Sequence, residues 1–333
     1  MDAPKPRSAL NQTIALSAAD RDRLRSRLLP LSSISALPVP SGTLQGDCLT
    51  ISAALPQAWA DLLILDPPYN LSKVFNGKRF GRRSVQDYTD WLDAVICRLK
   101  PLLKETATVY ICGDWFSSAS IFTVAAAHFM VRNRITWERD KGRSAQANWK
   151  NASEDIWFCT VSESYTFNAQ AVRQRRRVLA PYRDRDQQPK DWQSTQAGKF
   201  RDTGSSNLWT DITLPFWSMA ENTPHPTQKS EKLIAKLLLA SSQPQDFVLD
   251  PFVGSGTTSV VAKKLGRHYL GIEQDEEYCL LTEYRLEHAD QDPRIQGWVD
   301  GVFWERNTFA LQQHAATSEM PPRLDPKAGK SIQ

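Results

Sequence analysis

No apolar run in the 333-residue chain approaches the ~18 residues that a membrane-spanning helix needs, which excludes such a span from the sequence. The opening Met1-Asp-Ala-Pro-Lys-Pro-Arg7 leads into polar and charged residues rather than an apolar stretch, so nothing marks the chain for export. Cysteine is scarce and scattered. Cys48, Cys97, Cys112, Cys159 and Cys279 form no Cys-x-x-Cys pair, and an odd number in a chain this long does not read as a disulfide framework, so a reduced cytoplasm is the expected home. No His/Cys cluster with metal-ligand spacing appears, and no metal is expected. Internal repeats are also missing. What remains is an ordinary globular composition, 41% hydrophobic and 23% charged, which excludes wholesale disorder and fits one large domain or two smaller ones. The 41 Lys and Arg against 37 Asp and Glu leave a net charge of +4, compatible with a polyanionic partner.

Short β-like runs alternate with helix-like runs through most of the chain, the pattern of an α/β fold with a mostly parallel sheet. Residues 60–65 form an apolar run of the kind a strand buried on both faces shows, ending at Asp66-Pro-Pro-Tyr69, where two prolines stop the ladder. A helix is expected over 88–103, a strand over 108–112, a helix over 121–129, and strands over 133–138 and 155–160. Downstream, a helix over 229–239, a strand over 247–250, a helix over 257–265 and a strand over 268–273 are expected. Residues 1–40 read as a polar lead, partly ordered, with one helical hint over 18–29, and 313–333 as a disordered tail. Between about 167 and 222 periodicity vanishes. From Ala171 to Arg201 nine basic residues face three acidic ones, a local excess above that of the whole chain, and the stretch reads as an insertion on the sheet rather than part of it. The chain thus divides into 1–40, 41–166, 167–222, 223–312 and 313–333.

Two motifs carry chemistry. Asp250-Pro-Phe-Val-Gly-Ser-Gly-Thr-Thr258 follows a strand and opens a helix, so its glycines admit a ligand close to the backbone and the helix start offers free amide donors. Glu273, at the end of the next strand, is placed to hold ribose hydroxyls. A third glycine and a Gly-Lys-Thr run are both absent, which turns the reading away from dinucleotides and phosphate loops toward a nucleoside cofactor without pyrophosphate. An ordinary tight turn would explain Gly-Ser-Gly alone. Asp66-Pro-Pro-Tyr69 sits at a strand's carboxyl end, where open α/β sheets bind ligands. Its carboxylate and a proline-fixed carbonyl can grip an exocyclic amine, and its tyrosine can stack on a base; a capped turn with a core tyrosine is the plain alternative.

Together, in this order, the two motifs resemble those of the S-adenosylmethionine-dependent DNA amino-methyltransferases, specifically the β group in which the catalytic half precedes the cofactor half. Gly46-Asp-Cys-Leu49, Ile135-Thr-Trp-Glu138, Ser153-Glu-Asp-Ile-Trp-Phe158 and His225-Pro-Thr-Gln-Lys229 also resemble that group's elements, over about residues 44–287. The resemblance implies a Rossmann-like methyltransferase fold with helices on both faces of the sheet, circularly permuted motif order, and a basic inserted recognition region at 167–222. It implies S-adenosyl-L-methionine as cofactor, with Asp47, Thr227, Lys229, Asp250, Phe252, Gly254, Gly256 and Glu273 around it. It implies that Asp66, Pro67, Pro68 and Tyr69 are catalytic, Asp66 and the Pro67 carbonyl holding the amine and Tyr69 stacking on the extruded base. Double-stranded DNA would be the partner, gripped by Lys73, Lys78, Arg79, Arg82 and Arg83 after the tetrapeptide and by Arg173, Arg175, Arg176, Arg177, Arg183 and Arg185 in the basic region. Trp192 and Trp209 suit base stacking or a core role, and His225 a structural one. None of the cysteines follows a proline, which argues against thiol attack on a cytosine ring carbon. Adenine N6 is the favoured target and cytosine N4 the alternative, in a restriction–modification setting with a cognate endonuclease. RNA or protein-glutamine methylation, and a non-catalytic binding module, are the remaining readings.

Overall fold

The computed structural model describes residues 8, 10–76, 78–139, 147–179, 182–195, 198–306 and 308. The expected tail at 313–333 lies outside them. From the amino end the elements run α1 (Ala18–Arg25), β1 (Gly42–Gln45), α2 (Cys48–Ser52), β2 (Ala60–Leu65), the hairpin strands β3 (Lys73–Phe75) and β4 (Lys78–Phe80), α3 (Val85–Leu99), β5 (Leu103–Gly113), α4 (Ser118–His128), β6 (Met130–Glu138) and β7 (Ser153–Thr160). Then follow β8 (Gln174–Arg177), β9 (Gln193–Thr195), β10 (Gly198–Thr203), β11 (Leu208–Trp209), α5 (Glu231–Ser241), β12 (Phe247–Asp250), α6 (Thr257–Lys264), β13 (His268–Glu273), α7 (Glu276–Gln291), β14 (Trp298–Val299) and β15 (Val302–Trp304).

Eight strands form one sheet in the order β1-β13-β12-β2-β5-β7-β6-β11, parallel from β1 to β5, with β7 antiparallel to both neighbours. The apolar run of β2 explains its central place. Leu63 and Leu65 point into a core shared with Leu92, Val95 and Ile96 of α3 and Ile121 of α4, while Leu62 and Ile64 point into a second core with Leu233 and Leu237 of α5 and Val261 of α6. Helices therefore cover both faces, as expected of a sheet whose strands are apolar on both sides. Short polar side chains start the helices: Ser84 accepts from Asp87 N–H at α3 and Ser230 from Leu233 N–H at α5. The helix expected to reach residue 103 stops at Leu99, because Pro101 breaks the ladder into a single tight turn and Leu103 already belongs to β5.

The lead is more built than its polarity suggests. Ser17 and Asp20 cap α1 reciprocally, Leu16 and Leu24 bury against Tyr278 and Leu281 of α7, and Arg21, Arg25 and Arg27 pair with Glu277, Glu276 and Glu283. The basic region also departs from its expected separation. Leu208 and Trp209 pair in parallel with Thr136 and Trp137, adding β11 to the edge of the main sheet. A second sheet, β14-β15-β8-β10-β9, takes two strands from the chain's far end, with Phe303 and Trp304 paired to Gln174 and Arg175. No helix among the described residues is long and apolar enough to cross a membrane.

Candidate active site

Register alone brings the two motifs together. Val248 and Leu249 of β12 pair with Leu62 and Leu63 of β2, so the chain leaves the sheet side by side at Asp250 and Asp66. Asp250 pairs in turn with Gly271 of β13, and Glu273 with Gln45 of β1. The carboxyl ends of β2 and β12 open on one small cleft of about 30 Å³, lined by Asp66, Cys112, Thr227, Lys229, Asp250, Phe252 and Gly254 among others; Glu273 and Gly256 are not among its lining residues.

At the β2 end, Lys229 reaches in from the turn before α5. Its ammonium donates to Asp66 Oδ1 at 2.9 Å and Oδ2 at 2.7 Å, and lies 3.0 Å from the Tyr69 hydroxyl. The Tyr69 hydroxyl lies 3.0 Å from both Asp66 Oδ1 and Glu154 Oε2, and the Lys229 ammonium 3.4 Å from Glu154. Burial alone would depress Lys229, but the Asp66 and Glu154 carboxylates outweigh it and hold the ammonium protonated. Burial, reinforced by the same two carboxylates, pushes the Tyr69 phenol well up, so it stays a hydrogen-bond donor. The Tyr88 hydroxyl donates to the Pro68 carbonyl at 3.1 Å, and Asn70 fixes the exit of the tetrapeptide by accepting from Arg83 N–H at 2.7 Å.

At the β12 end, Gly254 and Gly256 have φ of 53° and 84°. A Cβ on Gly254 would lie 3.0 Å from His225 Nε2, and one on Gly256 2.6 Å from Thr282 Cγ2, so both positions require glycine for conformation and for space. Arg285 of α7 holds this loop from behind, donating to the Ser255 carbonyl at 2.8 Å and pairing with Glu231 at 3.0 Å. Glu273 accepts from Gly254 N–H at 3.1 Å and from Asp275 N–H at 2.9 Å. Burial raises Glu273, and it pushes Asp250 up to about 7, with Asp66 and Glu273 adding their charge against hydrogen bonds from Thr258 and Phe252 N–H. Burial depresses His225 to about 3, leaving a neutral imidazole that accepts from Thr227 N–H and packs on Tyr278, the structural part expected of it.

Several residues stand elsewhere than the sequence places them. Lys229 lines the cleft together with Thr227 and Gly254, its ammonium bound to Asp66 and its carbonyl accepting from the Thr257 hydroxyl at 3.1 Å. Tyr69 is partly buried, its ring packed against the core and lying 5.2 Å from the Lys229 ammonium. Asp47 is not among the cleft-lining residues; it caps α2 by accepting from Leu49 N–H, beside Gly46, whose N–H donates to the Glu273 carbonyl. Of the basic residues, Lys73 is half-buried and depressed by burial and by Arg139 and Lys229. Arg82 lies over the Phe116 ring at 4.1 Å and Arg83 over Phe80 at 5.1 Å. Lys78 and Arg79 sit on β4, their side chains outside the described part. Arg175 does not face outward: it forms a bidentate pair with Asp202 at 2.8 Å and covers Trp304. Arg176 reaches Gln174; Arg173, Arg177, Arg183 and Arg185 are exposed, Arg173 binding the Asp202 carbonyl and Arg183 the Gln187 carbonyl. Trp192 and Trp209 are buried and bond the Tyr182 and Ser206 carbonyls, a core role. Glu154 is the member that sequence reading missed. The available signal was an acid inside an otherwise buried strand, which demands a cationic partner.

A family model for DNA methylases, of the N6/N4 type, matches residues 60–283. The chain belongs to this family. It is 31% identical over 293 residues to the DNA adenine methyltransferase YhdJ of Escherichia coli, covering 84% of this chain and 93% of that protein. It is 28% identical to the Type II methyltransferase M.HinfI of Haemophilus influenzae, covering 75% of this chain and 69% of that one. Among solved structures, the PvuII cytosine-N4-specific DNA methyltransferase shares the fold at a TM-score of 0.56 and 19% identity, covering 74% of this chain and 86% of that chain. The M1.HpyAVI–SAM complex does so at 0.51 and 23%, covering 74% of this chain and 98% of that chain.

Proposed function

We propose that this protein transfers a methyl group from S-adenosylmethionine to an exocyclic amine of duplex DNA, adenine N6 at a specific site. The observation that carries this reading is the single cleft holding Asp66 and the Gly254 loop together. The residues fit the cofactor. The loop's two glycines leave the backbone open, and the buried carboxyl groups of Asp250 and Glu273, both raised by burial, would be drawn toward the charged form by a sulfonium and an ammonium. Glu273 and the Gly254 loop would hold its nucleoside, Phe252 its base, and Thr227 the far wall. When bound, the cofactor supplies an electrophilic methyl carbon.

The chain's own residues do the rest. Lys229 already presents N–H donors to Asp66, so its ammonium marks where a target amine docks. The entering amine displaces it, giving its N–H bonds to Asp66 and to the Pro67 carbonyl, Pro68 being engaged by Tyr88. Two acceptors draw the nitrogen toward a pyramidal shape and aim its lone pair, so that rate comes from orientation and preorganised charge. The surplus proton leaves along the hydrogen bond to Asp66. Tyr69 must swing out of its contacts with Glu154 to stack on the base, which couples base entry to opening of the quartet. Reaching this pocket requires extrusion from the duplex, a cost of a few kcal/mol offset by phosphate contacts. The relatives named Type II methyltransferases support a restriction–modification role with a cognate endonuclease. Competition among duplex DNA, RNA and a glutamine peptide for labelled methyl groups tests the substrate class. Label in the duplex supports the reading, and label in RNA or peptide alone overturns it.

A further inference from the structure

Four of the five cysteines are buried, and the exposed one, Cys97, lies in a cluster that shares no residue with the cleft. Cys97 follows Asp93 by one turn on α3, so both project from the same face. His128, the last residue of α4, meets them from across the helix pair. Its Nε2 lies 2.7 Å from Asp93 Oδ1 and 3.9 Å from Cys97 Sγ, and that sulfur lies 3.8 Å from Asp93 Oδ2. One turn earlier on α3, Thr89 donates to Ser120 of α4 at 2.9 Å, holding the two helices in this register.

The arrangement is not a nucleophile relay. In a thiol–imidazole–carboxylate relay the acid and the sulfur occupy opposite ring nitrogens. Here both approach the same Nε2, so a sulfur, a nitrogen and an oxygen converge, all within 4.8 Å of one another. We propose that Asp93, Cys97 and His128 form a binding site for a zinc-like divalent ion that clips α3 to α4. Zinc bonds of about 2.3 Å to sulfur and about 2.0–2.2 Å to nitrogen and oxygen place tetrahedral donors about 3.3–3.6 Å apart. The two sulfur separations need to close by only a few tenths of an ångström, and the carboxylate must swing off the imidazole by somewhat more, moves within reach of side-chain rotation. Thiolate with imidazole favours zinc over magnesium or calcium. With three protein donors and an exposed thiol, water completes the shell. The sequence hides the site because its third donor comes from a different helix, 31 residues beyond Cys97.

Titration of the metal-stripped full-length protein with cobalt(II), displaced afterwards by zinc(II), tests this. The expected result is one equivalent bound, with a thiolate-to-cobalt charge-transfer band and tetrahedral visible bands, and a rise in melting temperature with zinc. Both should vanish in Cys97→Ser, at an exposed position, and in His128→Asn, at a half-buried one, while the Cys97 variant melts like the stripped parent. Cobalt spectra without a sulfur band, or variants that bind as the parent does, would overturn the site. The result is independent of the transfer reaction, because the readout is spectroscopic.

Discussion

At the scale of single residues, the proposed transfer rests on the quartet of Asp66, Tyr69, Glu154 and Lys229. Asp66→Ala removes the acceptor of the target amine and should lower kcat by about 10²-fold or more, while leaving cofactor affinity within a few-fold, as isothermal titration would show. Equal loss of both would place Asp66 in the cofactor pocket instead. Glu154→Gln touches neither ligand, yet it loosens the pairing that keeps Lys229 charged and Tyr69 anchored. It should lower kcat with cofactor affinity unchanged, and an unaffected kcat would make Glu154 merely structural. Asp250 gives a pH signature. Burial raises it to about 7, so below that it is protonated and neutral and above it carries charge. Because the folded value is raised above the ordinary one near 3.8, this group favours the folded state at low pH, and that contribution is lost as pH rises toward 7. Affinity for a cationic cofactor should run the other way, strengthening from pH 6 to 8 and levelling above. His225 stays neutral throughout and contributes nothing to that curve. A flat profile, or one unchanged in Asp250→Asn, would refute the assignment.

Among elements, the join between the basic region and the main sheet rests on Asp211, just after β11. It is buried against Lys232 at 2.8 Å and Lys236 at 2.9 Å on α5, and Lys236 also lies over the Trp209 ring at 4.8 Å. Two ammonium groups share one carboxylate, so Asp211→Ala strips Lys236 of its carboxylate in the core and leaves Lys232 with only the Asp211 and Trp304 carbonyls. The expected loss is about 3–5 kcal/mol in denaturant unfolding, and a loss below about 1 kcal/mol would show that water reaches the lysines. Arg175 belongs to the same scale. Its bidentate pair with Asp202 ties β8 to β10, so Arg175→Ala should cost about 1–3 kcal/mol of stability.

For the whole molecule, Arg177 and Arg185 are exposed arginines of the basic region whose side chains are not taken up by a carbonyl among the described residues, unlike Arg173 and Arg183. Arg177→Ala and Arg185→Ala should each flatten the plot of log affinity for DNA against log salt by about one contact, with melting temperature unchanged. The central strands were legible because burial on both faces writes a continuous apolar run, as in 60–65. The meeting of Asp66 with the glycine loop was legible because motifs at parallel strand ends share one edge. The closing of the small sheet by β14 and β15 was not, since strands of two and three residues carry no period. Glu154 and the true partner of Lys229 were hidden for another reason: a side-chain pair between distant strands and turns leaves no spacing to read.

The most direct measurement is the identity of the methylated nucleoside after duplex DNA is incubated with the protein and methyl-labelled S-adenosylmethionine, then digested and separated. Label is expected in N6-methyladenine, abolished by Asp66→Ala. Label in N4-methylcytosine would contradict the choice of base, and no label in any exocyclic amine would contradict the transfer itself.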